Sequence, residues 1–343
     1  MKKRQFLSSG LGMLAMAMTP VLARAQASAQ SQNQSQARNP TQPPAFPSFK
    51  TATIVVGFAA GGASDAAARI IAKKLSDDLG ISVVVDNKPG AGGNIAHQYA
   101  AHQGPTDGSS ILFGSVGPLA IAPHFMPLQY DPVKDLAPIT MGVNFPNVLV
   151  VNSSLPVKTF AEFMAYAKAN PGKIDFASTG HGSASHMAGE LLIDMAKVDI
   201  VHIPYKGGAP AFQDLMGGRV AAYFSTLATA QPGIDAGKLV PLATTGLKRM
   251  AALPNLPTIA ETYPGYNATN WYAFVASSKV PAGVLDGWNA ALVKVLKSPD
   301  VVASLDKHGL PPAPGSRQEL ADEIARESAM WGRVIRDRDI KPA

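Results

Sequence analysis

The sequence predicts an α/β fold, and three observations carry the prediction. At 343 residues the chain exceeds one ordinary small domain and suffices for two lobes with separate cores. Its composition, 46% hydrophobic and 16% charged, suits a soluble globular protein. From Thr53 onward, short strand-like runs alternate with helical patterns in two successive blocks, as expected for parallel β-sheet covered by helices.

The N-terminus precedes that alternation. Lys2, Lys3 and Arg4 are followed by the apolar run Leu11 to Ala17 and by Ala23-Arg24-Ala25. A basic region, a short hydrophobic region and a small-x-small pattern make residues 1–25 an expected signal peptide for export, cleaved near Ala25. The run is well short of the roughly 20 apolar residues a membrane span requires. Cleavage removes four basic residues and no acidic one, taking the formal net charge from +6 to +2. The basic excess therefore belongs to the export signal and does not point to a nucleic-acid partner. Residues 26–48, rich in Gln, Ser, Asn and Pro, read as a disordered linker. The absence of cysteine excludes a disulfide framework, a thiolate nucleophile and a thiolate metal site.

In the first block Ile54-Val55-Val56 reads as a buried strand, Gly57 to Gly62 as a loop, and Ala67, Ile70, Ile71 and Leu75 recur at helical spacing. Ser82 to Asp86 and Ser110 to Phe113 are further strands. The second block starts near Val148. Thr159-x-x-Glu162 is a capping box opening a helix that stops near Asn170-Pro171. Asp175-Phe176-Ala177 is a strand, and Met187, Leu191 and Met195 mark a helix face. Pro210 and Gly217-Gly218 bracket another helix. The tail is helical: Pro281 precedes Leu285, Trp288, Leu292 and Val295, and a second capping box, Ser316-x-x-Glu319, precedes Leu320, Ile324, Trp331 and Ile335.

Three glycine-rich loops join a strand to a helix: Ala59 to Asp65, Pro89 to Asn94, and Ser178 to Ser185. Glycine lets backbone approach a ligand, and a helix N-terminus offers free N–H groups and positive potential, so such loops bind anions without a charged side chain. Nucleotide loops fit poorly: Gly180-x-Gly182 lacks its third glycine, and no Gly-Lys-Ser/Thr element is present. Hydrolase signatures fail as well. There is no Gly-x-Ser-x-Gly elbow near Ser183 and Ser185, and His181 and His186 lack the zinc-peptidase spacing, so they read as polar caps. Asp65 reads as a first-turn carboxylate favourable to the helix dipole.

These loops resemble the Bug (Bordetella uptake gene) family, the extracytoplasmic substrate-binding receptors of tripartite tricarboxylate transporters. The similarity runs from about Thr53 to Ile340. It is carried by Gly61-Gly62-Ala63-Ser64-Asp65 with Arg69, Asn87 to Asn94, Ala177 to His186, and His202-Ile203-Pro204-Tyr205-Lys206-Gly207-Gly208-Ala209-Pro210-Ala211. Asp214 to Gly218, Leu256 to Glu261 and Trp271-Tyr272 complete it. The resemblance implies a two-lobed, periplasmic-binding-protein-like (Venus flytrap) architecture with a ligand cleft between the lobes. Lobe 1 would take residues 50–149 plus 268–343, and lobe 2 residues 150–267.

It implies a small organic carboxylate ligand, membrane subunits of a tripartite transporter as partners, and a monomer. No catalytic residue, cofactor or metal is expected. Carried over, the ligand contacts are Gly61, Gly62, Ala63, Ser64, Ser178, Thr179, Gly182, Ser183 and Ser185, with Ser115, Ser225 and Trp271 as further candidates. The sequence departs from the family where Gly57 and Ala60 replace prolines, and where Ser225 stands near a position often acidic. Hydroxyls there suit a ligand without an amine: a plain dicarboxylate, or an aromatic acid packed on Trp271. The alternatives are a periplasmic sensor receptor for a signalling partner and a small-molecule enzyme on an α/β fold. The latter needs a nucleophile–base pair or a metal cluster, and the motifs supply neither.

Overall fold

The computed structural model describes residues 46–340. The expected signal peptide, its cleavage site and most of the expected linker lie outside the described residues. Packing begins before the linker's expected end at residue 48. The Phe46 ring meets Trp288 at 5.2 Å, in space that Gly287 leaves free and that a Cβ would fill.

Among the described residues, ten strands form two five-stranded sheets. The first contains β1 (Thr51–Val56), β2 (Ser82–Asn87), β3 (Ser110–Ser115), β4 (Leu136–Pro146) and β10 (Thr269–Ser277), in the order β2-β1-β3-β10-β4. The second contains β5 (Val148–Asn152), β6 (Asp175–Ser178), β7 (Val201–Pro204), β8 (Ala222–Ser225) and β9 (Leu239–Thr244), in the order β7-β6-β8-β5-β9.

The helices α1 (Ala63–Leu79), α2 (Asn94–His102), α4 (Ala184–Ala196), α5 (Gly208–Met216) and α6 (Leu227–Asp235) follow β1, β2, β6, β7 and β8. The short helix α3 (Phe160–Ala169) lies between β5 and β6, and α7 (Ile259–Thr262) precedes β10. The chain closes with α8 (Ala282–Leu296), α9 (Pro299–Asp306) and α10 (Arg317–Asp337). Both expected capping boxes form, at Thr159/Glu162 and Ser316/Glu319, and a third, Thr258/Glu261, opens α7.

The parallel arrangement holds within each block: β1 pairs with β2 and β3, and β6 with β7 and β8. The sheets as wholes are mixed. β10 runs antiparallel to β3 and β4, and β5 antiparallel to β8 and β9. The reason is connectivity. A strand–helix–strand crossover returns the chain to the same end of a sheet, giving parallel neighbours. β5 and β10 instead arrive from the other sheet: β4 passes through Asn147 directly into β5, and the chain returns after β9 to begin β10. Entering where the other strands end, they run the opposite way.

Strand pleat sorts the core. Along β10, Trp271, Ala273 and Val275 join a cluster with Ile324 and Trp331. Tyr272, Phe274 and Ala276 face the opposite cluster, with Trp288 and Leu292. The first cluster continues through Leu149, Phe176, Phe224 and Leu242 of the second sheet, so the two sheets share one core on that side. Each large side chain fully buried there contributes roughly 1.5–3 kcal/mol.

Candidate ligand-binding site

The site is built where strands end and helices begin. The loop after β1 is held by a clamp. Asp65 in the first turn of α1 accepts the Gly61 N–H at 3.0 Å and pairs with Arg69 at 2.9 Å. Arg69 reaches Asn87, whose amide donates to the Phe58 carbonyl at 3.0 Å. Burial alone would raise the Asp65 carboxyl. The Arg69, Gly61 and Asn87 hydrogen bonds and the Arg69 charge outweigh it, and the pKa lies below the ordinary 3.8. Asp65 is thus occupied in shaping the loop, as its first-turn position suggested.

The loop after β6 is shaped by hydroxyls. Ser183 caps α4, accepting the His186 N–H. Ser185 Oγ accepts the Thr179 N–H at 2.9 Å and lies 3.1 Å from Ser183 Oγ.

Between the sheets lies a narrow cavity, partly open to solvent. Four helix N-termini meet at its wall: Ala63 and Ser64 of α1, Ala184 and Ser185 of α4, Gly208 of α5, and Thr226 with Thr229 of α6. Ligands of open α/β sheets occupy the crevice beyond the carboxyl ends of strands, and here β1, β3, β6 and β8 all end at the cavity. Each N-terminus carries roughly half a positive charge. Every lining side chain is uncharged. Ser115, Thr179 and Ser183 add hydroxyls, Asn147 and Asn270 add amides, and Phe58, Tyr223, Phe224 and Tyr272 add aromatic faces. Burial pushes the Tyr223 and Tyr272 phenols up, so both stay protonated at neutral pH.

Of the residues expected from sequence, Gly62, Ala63, Ser64, Ser115, Thr179, Ser183 and Ser185 line this cavity. Gly61 stands one residue behind it with φ +82°, its N–H spent on Asp65. Ser178, fully buried, supports the turn by accepting the Gly180 N–H at 3.0 Å. Gly182 N–H is donated to His186 Nδ1. Ser225 donates to the Thr226 carbonyl and is fully buried, so no hydroxyl from this position faces the cavity. Trp271 requires a correction: its pleat points into the hydrophobic core, and its neighbour Tyr272 forms the wall instead. Sequence reading missed Asn147, Gly208, Tyr223, Thr226, Thr229 and Asn270. A capping pattern, Thr226-x-x-Thr229, could have signalled α6; the two asparagines carried no local signal.

The second glycine loop has a different role from the one its sequence suggested. Gly92 lies against Gly180 and His181, where a Cβ would overlap the His181 carbonyl. A Cβ on Gly117 would lie 2.8 Å from the Gly182 carbonyl, and one on Gly207 2.9 Å from the Ala59 nitrogen. The Ala59 N–H donates to the Lys206 carbonyl at 3.2 Å across the same gap. These glycines let the backbones of the two lobes touch around the cavity, so the structure is a closed form.

Behind the β6–α4 turn, His202 joins His181 and His186, with ring nitrogens within 4.8 Å of one another. His186 and His202 stack at 3.9 Å and 24°. His186 Nε2 lies 3.3 Å from Glu190. His202 Nε2 meets Ser178 Oγ at 2.6 Å, a serine–histidine pair, but its Nδ1 has no orienting partner among the described residues and Ser178 does not line the cavity. Burial and the neighbouring histidines lower the His202 pKa to about 3, too acidic for a general base at neutral pH.

A cleft between two α/β lobes, closed over helix N-termini, defines the periplasmic-binding-protein class. Residues 67–340 match the family described as Tripartite tricarboxylate transporter family receptor, and the chain belongs to that family. Protein BugT of Bordetella pertussis is 34% identical over 290 residues, covering 84% of this chain and 89% of that one. A protein of R. palustris solved with adipate superposes with a TM-score of 0.83 at 35% identity, covering 87% of this chain and all of the other. MatC from Rhodopseudomonas palustris, solved with bound malate, gives 0.80 at 30% identity, covering 84% and 100%.

Proposed function

We propose that this receptor captures a small organic carboxylate in the periplasm and presents it, enclosed between lobes joined at the crossings near Asn147 and near residues 267–268, to the membrane subunits of a tripartite tricarboxylate transporter. The observation that carries the reading is the convergence of four helix N-termini and a set of hydroxyls on a cavity without a charged side chain. Such a site compensates a carboxylate through backbone N–H groups and dipoles. The structures solved with adipate and malate belong to relatives with the same fold, which supports a carboxylate here.

The ligand contacts are Gly62, Ala63, Ser64, Ser115, Thr179, Ser183 and Ser185, supported from behind by Gly61, Ser178 and Gly182. The reading is of binding without catalysis, since the Ser178–His202 pair behind the cavity lacks a third member and a path to the cavity. The protein acts as a monomer released by cleavage near Ala25. An ammonium group finds no carboxylate in the lining, and burying it without a counter-charge is costly, so aspartate and glutamate are expected to bind weakly.

The test is a thermal-shift screen of the mature protein against four- to six-carbon dicarboxylates, tricarboxylates, aspartate and glutamate. A ligand at 100 times its Kd stabilises the folded form by about 2.7 kcal/mol and raises the melting temperature. Carboxylates are expected to do so and the two amino acids are not. A screen in which no organic carboxylate shifts the melt at millimolar concentration would falsify the reading. Submicromolar aspartate binding would remove its amine clause alone.

A further inference from the structure

We infer that the cognate carboxylate also carries an uncharged group, a hydroxyl or a primary carboxamide, that donates one hydrogen bond and accepts another at the Asn147–Asn270 pair. This rests on the carboxylate reading above and deepens it.

Asn147 and Asn270 both line the cavity and are only 1% and 7% exposed. They occupy the two passages of the chain between the sheets: Asn147 links β4 to β5, and Asn270 lies in the first turn of pleat of β10. Backbone bonds fix the first passage. The Asn147 N–H donates to Thr245 Oγ1 at 2.9 Å, the Thr245 hydroxyl donates to the Ala268 carbonyl at 2.8 Å, and the Thr245 N–H returns to the Asn147 carbonyl. The two amides are therefore held at the base of the cleft, where the lobes hinge.

The amides bond to each other, with Asn270 Nδ2 donating to Asn147 Oδ1 at 3.3 Å. Asn147 Nδ2 and Asn270 Oδ1 remain buried and have no hydrogen-bond partner among the described residues. Amide oxygens and nitrogens exchange places when the group is flipped, yet the conclusion survives the flip. Turning both amides reverses the donor of the mutual bond and still leaves one donor and one acceptor. Turning only one sets like atoms against each other. In either sound arrangement the pair presents one unpaired amide nitrogen, a donor, and one unpaired amide oxygen, an acceptor.

Buried polar groups are costly unless paired. A carboxylate only accepts, so it satisfies the N–H and meets the C=O with repulsion. An ammonium only donates and fails the opposite way. An ether or ester accepts without donating. A hydroxyl or a primary carboxamide does both and carries no charge, consistent with a lining that has no acidic or basic side chain. The helix N-termini serve the carboxylate, and the asparagine pair reads the neutral group. Because the pair bridges the hinge passages, that recognition is coupled to closure.

The test is calorimetry on the mature protein with matched probes at four, five and six carbons: each dicarboxylate, its 2-hydroxy and 2-methoxy derivatives, its half-amide and its half-methyl ester. At one chain length, the hydroxy acid or the half-amide is expected to bind about tenfold or more tightly than its methyl-capped partner, because capping leaves the asparagine carbonyl unpaired. The arm showing the preference names the group.

Asn270→Leu, checked for folding by its melting curve, is expected to reduce that preference to about twofold or less. Asn270→Asp keeps the shape and adds a charge, and is expected to weaken every carboxylate probe. Equal binding of capped and uncapped partners, or a preference unchanged in Asn270→Leu, overturns the inference while leaving the carboxylate reading intact. If no probe of any kind binds, the carboxylate reading itself falls and this inference with it.

Discussion

His202 shows how a single buried side chain sets behaviour that its motif does not announce. Burial first, then the charges of His186 and His181, lower its pKa to about 3 from an ordinary 6.5. His97, wholly enclosed, is lowered to about 4 by burial against one backbone bond to Gly93. The unfolded chain takes up protons near pH 6.5, while the folded protein refuses them until far lower. The stability these groups contribute is therefore complete above about pH 6.5 and is lost as pH falls toward 4 and then 3. Urea unfolding at pH 7.5 and 5 is expected to show that loss. His202→Gln, which keeps a polar partner for Ser178, should reduce it by on the order of 2 kcal/mol at pH 5, at about 1.4 kcal/mol per pH unit below the ordinary value. An identical pH dependence in the variant would contradict the assignment. The histidines were legible as polar caps near a helix start, and His186 is one. The contact of His202 was out of reach, because 24 positions separate it from Ser178, the turn residue it bonds.

At the level of elements, helix N-termini do two jobs that substitution can separate. Ser183 and Ser316 each accept an N–H at N3 of their helices, α4 and α10. Replacing either by alanine is expected to cost about 1 kcal/mol of stability. Only Ser183 also lines the cavity. Ser183→Ala should therefore weaken the carboxylate as well, about tenfold for one lost hydrogen bond to a charged group, while Ser316→Ala leaves affinity at the wild-type value. Denaturant melts and calorimetry on both variants check this. Parallel losses of affinity would mean that stability, and not the hydroxyl, controls binding. The Ser316 cap was read from its Ser-x-x-Glu spacing, since a capping residue and its helix are neighbours in sequence; the Ser183 cap, without an acidic residue at N3, was not. The facing partners were not: α5 and α6 reach the same cavity from segments whose glycine, proline and threonine content marks helix starts without saying what lies opposite.

For the whole molecule, closure depends on glycine meeting backbone. Gly92, at φ +63°, touches His181, and Gly117 and Gly207 meet Gly182 and Ala59. Gly92→Ala adds a methyl where the His181 carbonyl sits, on a contact made between lobes and not within one. The variant should fold, yet populate the closed form less. Apparent affinity falls by the fraction closed, so a drop of about tenfold or more is expected, and small-angle scattering should show less compaction on ligand addition than in the wild type. Wild-type affinity with full compaction would show that the loop tolerates the methyl and does not gate closure.

The sequence by itself determined the α/β class, the capping boxes, the two glycine loops whose residues line the cavity and the first-turn place of Asp65, because each depends on hydrophobic period, turn chemistry or a contact within a few residues. Tertiary structure alone decided the rest. Which face of β10 meets the cavity is a matter of pleat, and a shift of one residue exchanges Trp271 for Tyr272. Whether a glycine serves ligand or lobe contact depends on the backbone opposite, which for Gly92 lies nearly ninety residues away. Asn147 and Asn270 meet across 123 positions only because two crossings between the sheets bring them together at the floor of the cleft.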